Sequence, residues 1–470
     1  MTAEGTRERD GAVPGVAHDR GVPPGVTKVY DGIVLGAGIS GLVSASVLLE
    51  KGARTVLVID EYERVGGNHL DFSIDGYTFD VGSLIFQDDS PLVHRFPELL
   101  PRYVPVEPTW SRLNPQGKVT DYPFSMKDDL VAAGPAAWAS MAASLVASRF
   151  RYRNQRNARD FTRFWVGTKA AERTGLEHYI ERFCGLPSEV IDLDFARARM
   201  MWIADNARVW PRVTRAARGL RKRLARRGPE VEAPTQRRTQ QLVRPREGFD
   251  ALYRPLVERL ESEGVEFLLS TPSTAIERAD ESLVVRTSAG DFSSPMLVST
   301  VPTHRALALV GVDSEPLPTV TIISLLCSFA GRRGFDTSIL YNFSHDGSWK
   351  RLTMHSDFYG PVREREYFCV EVVGSGSVRT VAEAEKSFRE HTQANGLFHG
   401  DLRIEGGHVL ENVYPVFTGG SAARAADQVA LLHDHGVTSL GKQGGFDYQP
   451  TARVSTRNAE KKLGGTVSPK

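Results

Sequence analysis

Cysteine is scarce: three residues in 470, at Cys184, Cys327 and Cys369. They lie far apart and follow no metal-ligand spacing. That argues against a disulfide framework and a structural zinc site, and it predicts a reduced, cytoplasmic setting with no bound metal. An excess of either charge is also missing. Lys+Arg number 58 and Asp+Glu 57, for a net charge of +1, so global electrostatics favour no class of partner. No run reaches the length and apolarity of a membrane span. The nearest, Leu130 to Val146, is alanine-rich and interrupted by Gly134 and Pro135. It is expected to form a helix packed closely against protein. Residues 1–27 mix charge with Gly and Pro around no apolar segment and read as a disordered leader, not a secretory signal. Neither a Ser/His/Asp pattern nor a pair of carboxylates stands out as a catalytic group.

What the chain does have is a dense motif between Asp31 and Asn68. Ile33, Val34 and Leu35 form a short apolar run that suits a buried parallel strand. Gly36, Gly38 and Gly41 follow in the spacing GxGxxG, with Ile39 and Ser40 inside the turn. Such a turn lets the backbone approach a pyrophosphate and aims a helix N-terminus at it. The residues from Leu42 to Glu50 suit that helix, Gly52 ends it, and Thr55 to Ile59 reads as a second strand. Asp60, followed by Glu61, stands where a carboxylate can accept bonds from ribose hydroxyls. Strand, helix and acid at the right distances make this βαβ unit a specific signal for a bound dinucleotide.

Gly66-Gly67-Asn68 comes directly after the acid. A glycine pair in this place resembles the second dinucleotide motif of the FAD-binding amine oxidase superfamily, which implies non-covalent FAD and not NAD. An alternating stretch around Asp75-Gly76 then predicts a β-hairpin. It leads into Gly82-Ser83-Leu84-Ile85-Phe86, with Pro123-Phe124-Ser125-Met126 further on. Together these segments resemble UDP-galactopyranose mutase and its relatives, in the same superfamily as protoporphyrinogen oxidase and the flavin amine oxidases. Near the C-terminus, Gly441-Lys442-Gln443-Gly444 lies between an apolar run, Val437 to Leu440, and a helical stretch from about Pro450 to Lys462. This resembles the superfamily's C-terminal flavin motif, where a helix dipole favours negative charge on the reduced ring.

The resemblance implies an α/β fold: a Rossmann-like FAD-binding domain, an inserted helical segment and a second, antiparallel sheet forming the substrate domain. The expected division is 28–100, 240–312 and 405–470 for FAD, 101–239 as a mainly helical cap, and 313–404 as the substrate sheet. The FAD contacts implied are Gly36, Gly38, Ile39, Ser40, Gly41, Asp60, Glu61, Gly66, Gly67, Asn68, Gly82, Ser83, Gly441, Lys442, Gly444 and Tyr448. Ser270 to Ala275 is expected at the adenine end.

Two residues depart from the mutase pattern. Leu84 stands where that family usually has a flavin-facing His, and Lys442 where it usually has Arg. Leu84, Lys442 and Tyr448 are thus the candidates beside the flavin, and the chemistry itself is assigned to the cofactor. Arg197, Arg199, Arg208 and Arg246, with the acid-free segment Arg212 to Arg227, suggest an anionic substrate, since the guanidinium fork suits diphosphate. The substrate-binding candidates are Arg246, Arg208, Tyr341 and Tyr359.

The leading functional reading is a FAD-dependent oxidoreductase-type enzyme acting on a sugar, nucleotide-linked or otherwise anionic, with chemistry at flavin N5. Alternatives are a redox-neutral pyranose/furanose mutase using reduced FAD, an amine oxidase- or desaturase-like enzyme on a neutral or lipid-like substrate, and a non-catalytic FAD-stabilised binding protein. Expected partners are a small-molecule substrate and no nucleic acid, and a homodimer is compatible with this reading.

Overall fold

The computed structural model describes residues 27–82, 85–197, 200, 203, 239–376 and 378–468. Its centre is a five-stranded parallel sheet in the order Val265–Leu268, Val56–Ile59, Gly32–Leu35, Leu297–Ser299, Val437–Ser439. Gly32–Leu35 and Val56–Ile59 belong to one βαβ unit and the other three strands come from distant parts of the chain; the two central N-terminal strands are short and apolar, as strands covered on both faces must be. On one face the helices Ile39–Glu50, Phe249–Ser262 and Ala452–Leu463 share a core that includes Leu42, Val43, Leu252, Leu256 and Ala459. On the other face, Ile33, Leu57 and Ile59 pack with Ile276, Val285, Phe292, Leu307 and Leu432. These come from a four-stranded sheet and from the helices Thr303–Leu309 and Ser421–Asp434. The hairpin forms as the Asp-Gly signal requires: Asp71–Ile74 pairs with Tyr77–Asp80, and Asp75 and Gly76 both take positive φ, 49° and 88°.

The second large sheet has seven strands, antiparallel except for one parallel pair, Ile339–Asn342 beside Trp110–Leu113. Its strands alternate faces with period two. Phe368, Val370 and Val372 join Phe329 and Leu352 beneath the helix Val381–Ala394. Tyr367, Cys369 and Val373 fall on the opposite face, in clusters shared with the hairpin and the helical segment. This sheet departs from the expected division in two places. Trp110–Leu113 and Val119–Asp121, expected inside a helical block, are two of its strands, because their buried residues complete its edge. The 18-residue strand Phe398–Pro415 runs through the expected boundary at 405.

The helical segment differs from its expected form in two further ways. The helical spacing between Phe161 and Ile180 resolves into three helices, Ala158–Val166, Thr168–Thr174 and Leu176–Cys184. Gly167 and Gly175 separate them, and a Cβ at Gly175 would stand 1.6 Å from the Phe343 carbonyl oxygen. This close approach, invisible in the periodicity, breaks the helix. The Leu130 to Val146 stretch contributes to the helix Pro135–Arg151, but that helix does not pack closely along its length. Its only buried residues are Met141 and Ser148. Among the described residues, no helix is long and apolar enough to cross a membrane.

Candidate active site

The C-terminal ends of the central parallel strands open into a cavity of about 870 Å³. This is where open parallel sheets bind ligands, because the helices that follow the strands present their N-termini there. Leu35 and Gly36, Ile59 and Asp60, and Thr300 with Val301 line it from three neighbouring strands. The glycine turns meet across it: Gly38 forms a parallel bridge with Gly66, and the Gly66 N–H donates to the Ala37 carbonyl at 2.9 Å. Asp60 locks this turn, accepting the N–H of Ala37 at 2.5 Å and of Tyr62 at 2.9 Å. Burial raises its pKa above the ordinary carboxylate value, the two backbone bonds only partly offsetting that. Each oxygen keeps further acceptor capacity for a hydroxyl.

Most residues nominated from the sequence converge on this cavity. Gly36, Gly38, Ile39, Ser40, Asp60 and Glu61 line it from the first βαβ unit. Gly66, Gly67, Asn68 and Gly82 line it from the segment that follows, and Lys442, Tyr448 and Tyr341 complete the set. The stretch expected at the adenine end contributes Thr271, Pro272 and Ser273. Gly41, Gly441 and Gly444 stand behind the lining and shape it by close packing. A Cβ on Gly441 would meet Ser40 Oγ at 2.9 Å, and one on Gly444 the Ser299 carbonyl oxygen at 2.7 Å.

Three residues nominated for the substrate, Arg246, Tyr359 and Arg197, are not brought to the cavity. Arg246 is exposed, and its guanidinium donates to the Tyr359 carbonyl. Tyr359 is itself buried under the Arg244 guanidinium, 4.6 Å from its ring. The physical reason is Arg244. It is fully buried and ion-paired to Asp80, with Thr78, Pro245 and Arg246 carbonyls as further acceptors, and this network draws the segment away from the cavity. Ser83, Leu84, Arg199, Arg208 and Arg212 to Arg227 lie outside the described residues. Arg197 is exposed beside Asp194.

The cavity also holds residues the sequence reading passed over. Lys350, Arg351 and Glu371 form a buried ion cluster on its sheet floor. Lys350 Nζ is 2.6 Å from one Glu371 oxygen, and Arg351 Nε donates to the other at 2.8 Å. Burial opposes the Glu371 charge, yet Arg351 and Lys350 hold its pKa down at about 2. Around the cluster stand aromatic rings. Lys350 lies 4.9 Å from the Phe183 ring centre and 5.5 Å from that of Tyr414, and Tyr122 stacks on Tyr341 at 4.2 Å. The helix Leu176–Cys184 supplies Tyr179, Ile180 and Phe183, whose spacing puts them on one side of it. A signal for the cluster was present: Glu371 is the one acid inside the otherwise apolar run Tyr367 to Val373. His69 also lines the cavity, hydrogen-bonded to Tyr253, and burial, then the Lys442 charge, lower its pKa to about 3. It is a neutral imidazole at ordinary pH.

The cavity fits FAD on grounds independent of the glycine motif. Gln449 lines it at 2% exposure, and neither its amide oxygen nor its nitrogen has a hydrogen-bond partner. Leaving a buried amide unpaired costs about 1–3 kcal/mol, so its place calls for a polar ligand edge. It lies three residues before the helix Ala452–Leu463, whose N-cap Thr451 and first residue Ala452 line the same wall. A donor-and-acceptor amide beside a helix N-terminus suits the carbonyl- and N–H-bearing pyrimidine edge of a flavin. Gly36 to Ser40 would hold the pyrophosphate and Asp60 the ribose.

The comparisons with known proteins agree with this geometry. The fold is similar to a crystal structure of reduced UDP-galactopyranose mutase, with TM-score 0.70 and 16% identity over 92% of this chain and 94% of that one. It is similar as well to a structure assigned as a protoporphyrinogen oxidase from Exiguobacterium sp. 255-15, with TM-score 0.67 and 16% identity over 93% and 98%. Among curated proteins, prolycopene isomerase 2 of an Oncidium hybrid cultivar is 55% identical over 56 residues, 12% of this chain and 9% of that protein. The chain thus spans about a tenth of the length of the curated relatives it matches. The profile of flavin containing amine oxidoreductases matches residues 39–323. With more than half of its length so matched, the chain belongs to the flavin containing amine oxidoreductase family and is a FAD-dependent enzyme.

Proposed function

We propose that this enzyme oxidises or isomerises a largely apolar small molecule held between the flavin position and the aromatic floor of the cavity. The observation that carries this reading is the lining beyond the dinucleotide cradle. Tyr122, Tyr179, Phe183, Tyr341 and Tyr414 dominate it, with Ile180, Ile322 and Leu410 between them. Apolar and aromatic walls with a few placed polar groups are what a neutral, partly apolar ligand requires. Bound FAD would supply a two-electron acceptor or, when reduced, an electron donor. The chain would position the substrate, exclude water, and keep charge near the flavin fixed through Lys442 and the Lys350–Glu371–Arg351 cluster. His69 is poorly suited to hold a proton, because burial keeps it neutral. The partial match to prolycopene isomerases is in keeping with a substrate of this class.

A second reading, a sugar linked to a nucleotide or other anion, draws support from Lys350 and Arg351 beside Tyr414 and Tyr448. Both cations lean on Glu371, and neither Arg246 nor Tyr359 lines the cavity, so the first reading is preferred. Anaerobic mixing with two panels, apolar alkenes and polyenes against nucleotide sugars, separates them. Apolar compounds should perturb the flavin spectrum, with the effect lost on Tyr341→Ala. A response confined to nucleotide sugars, weakening with salt, would overturn the apolar reading and establish the second.

A further inference from the structure

The Pro135–Arg151 helix turns an apolar face outward. Trp138, Val146 and Phe150 are 53%, 60% and 78% exposed. Trp138, Ala142, Val146 and Phe150 recur every four residues and so form one stripe, with exposed Ala139 and Ala143 beside it. The buried Met141 and Ser148 point the other way, toward the helices Ala158–Val166 and Thr168–Thr174. Soluble surfaces rarely leave large apolar side chains in a continuous row without a partner.

The charge around this face is of one sign. Residues 134–159 contain no acid and five arginines: Arg149, Arg151, Arg153, Arg156 and Arg159. At the C-terminal end of the stripe, next to Phe150, Arg151, Arg156, Arg159 and Arg163 with Tyr152 and Asn154 surround a polar hollow of about 580 Å³. The acids that face it are few. Asp160 lies buried beside Arg156, Glu177 pairs with Arg163 and Glu189 with Arg159. No carboxylate pairs with Arg151 among the described residues.

We infer that this helix lies in the surface of an anionic lipid bilayer, its Trp138–Phe150 stripe in the acyl boundary and the arginine hollow around a lipid phosphate. An aromatic-tipped apolar face flanked by arginine is the pattern of a helix that lies in the interface without spanning it. The occupant is assigned by charge: a second copy would set the arginine hollow against another cationic surface, whereas a lipid headgroup brings the missing negative charge. The assignment does not depend on the substrate of the cavity, which lies elsewhere.

The test is sedimentation of the FAD-loaded protein with vesicles of phosphatidylcholine, with and without phosphatidylglycerol. Binding should require phosphatidylglycerol and weaken with salt. Arg151→Gln and Arg156→Gln should each lower the affinity roughly fivefold, following the attraction of a single cation to an anionic leaflet. Trp138→Ser with Phe150→Glu should lower it by at least roughly tenfold. Trp138, Phe150 and Arg151 are on the surface with no ion pair among the described residues, so flavin content and unfolding temperature should not change when they are replaced. The inference is overturned if neither vesicle sediments the protein, if these variants still bind, or if Phe150→Glu instead disperses a concentration-dependent dimer that ignores lipid.

Discussion

Two glycines of one motif should fail for different reasons when each is given a methyl group. Gly38 has φ −72°, which any residue adopts, and a Cβ built there meets nothing closer than Gly67 Cα at 3.5 Å. The protein alone therefore tolerates Gly38→Ala, and a less flexible unfolded chain adds about 0.4–1 kcal/mol of stability. What the methyl would obstruct is the approach of the pyrophosphate to the backbone. If that costs a hundredfold in FAD affinity, the holoprotein forfeits about 2.7 kcal/mol of ligand stabilisation. Gly41 is the opposite case. Its Cβ would stand 1.8 Å from the Gly36 carbonyl oxygen, an overlap that only movement of the helix off the strand relieves. That places Gly41→Ala among the rare substitutions costing more than about 4 kcal/mol. The assay is thermal unfolding of both variants with and without excess FAD, alongside the flavin released by acid precipitation. Gly38→Ala should unfold like flavin-free wild type and gain little from FAD, and Gly41→Ala should unfold early in either condition. If Gly38→Ala keeps stoichiometric flavin at wild-type affinity, the pyrophosphate does not lie where the turn places it.

Other expectations are as direct. Wild-type FAD should be released by acid precipitation, because His69 is engaged with Tyr253 and no cysteine lines the cavity; flavin remaining with the pellet would contradict this. Gln449→Leu should leave the flavin-free protein as stable as wild type, since its amide has no partner to lose, while weakening FAD about tenfold; thermal unfolding reads the first and isothermal titration the second. Glu371→Gln should destabilise the fold by about 3–5 kcal/mol, because Lys350 stays buried and Arg351 partly buried without their anion, and chemical denaturation measures this. Stability should fall as pH drops below 6.5. His69 and His355 titrate at about 3 and His391 at about 4 when folded, so the unfolded chain takes up their protons first. Asp80, raised to about 6 by burial against the pull of Arg244, offsets one of the three. These four groups together give a slope of about 3 kcal/mol per pH unit between 6 and 5, and below 5 the Glu371 carboxyl, held at about 2 when folded, adds to it. His355→Phe should flatten it by about 1.4 kcal/mol per pH unit, and an unchanged slope would show that this histidine is not buried neutral.

The glycine-rich half of the cavity was legible in the sequence and the aromatic floor was not, for one physical reason. A dinucleotide is held by backbone, so its site is written in local terms: glycines at fixed spacing, a strand before them, an acid after. Gly36 to Asp60 carries all of this within one βαβ unit, and the Asp75-Gly76 hairpin is likewise fixed by its own two turn residues. The floor of the cavity is assembled from side chains that only the sheet brings together. Lys350, Arg351 and Glu371 belong to two strands, and Tyr122, Tyr341 and Tyr414 to segments nearly three hundred residues apart. No window of sequence shows that Lys350 and Tyr414 face each other.

The arginines show the same limit from the other side. Arg246 was a reasonable diphosphate ligand by residue type and by its place before Gly248-Phe249. Its neighbour Arg244 decided otherwise. A guanidinium buried at 0% exposure must find an anion, and Asp80 at the end of the hairpin is that anion. The pair ties the turn before the Phe249–Ser262 helix to the hairpin, with Asp71 accepting the Phe249 N–H at 2.7 Å. Arg246 is thereby carried to the outside of the site. An arginine's sequence neighbours say that it is available for an anion. Whether the anion is a substrate, a carboxylate of the fold or a lipid headgroup depends on which surface the surrounding network leaves it facing. By that criterion Lys350 and Arg351 are committed to Glu371 and Arg305 to Glu61, whereas Arg151, which pairs with no carboxylate among the described residues, lies beside the exposed stripe of the Pro135–Arg151 helix.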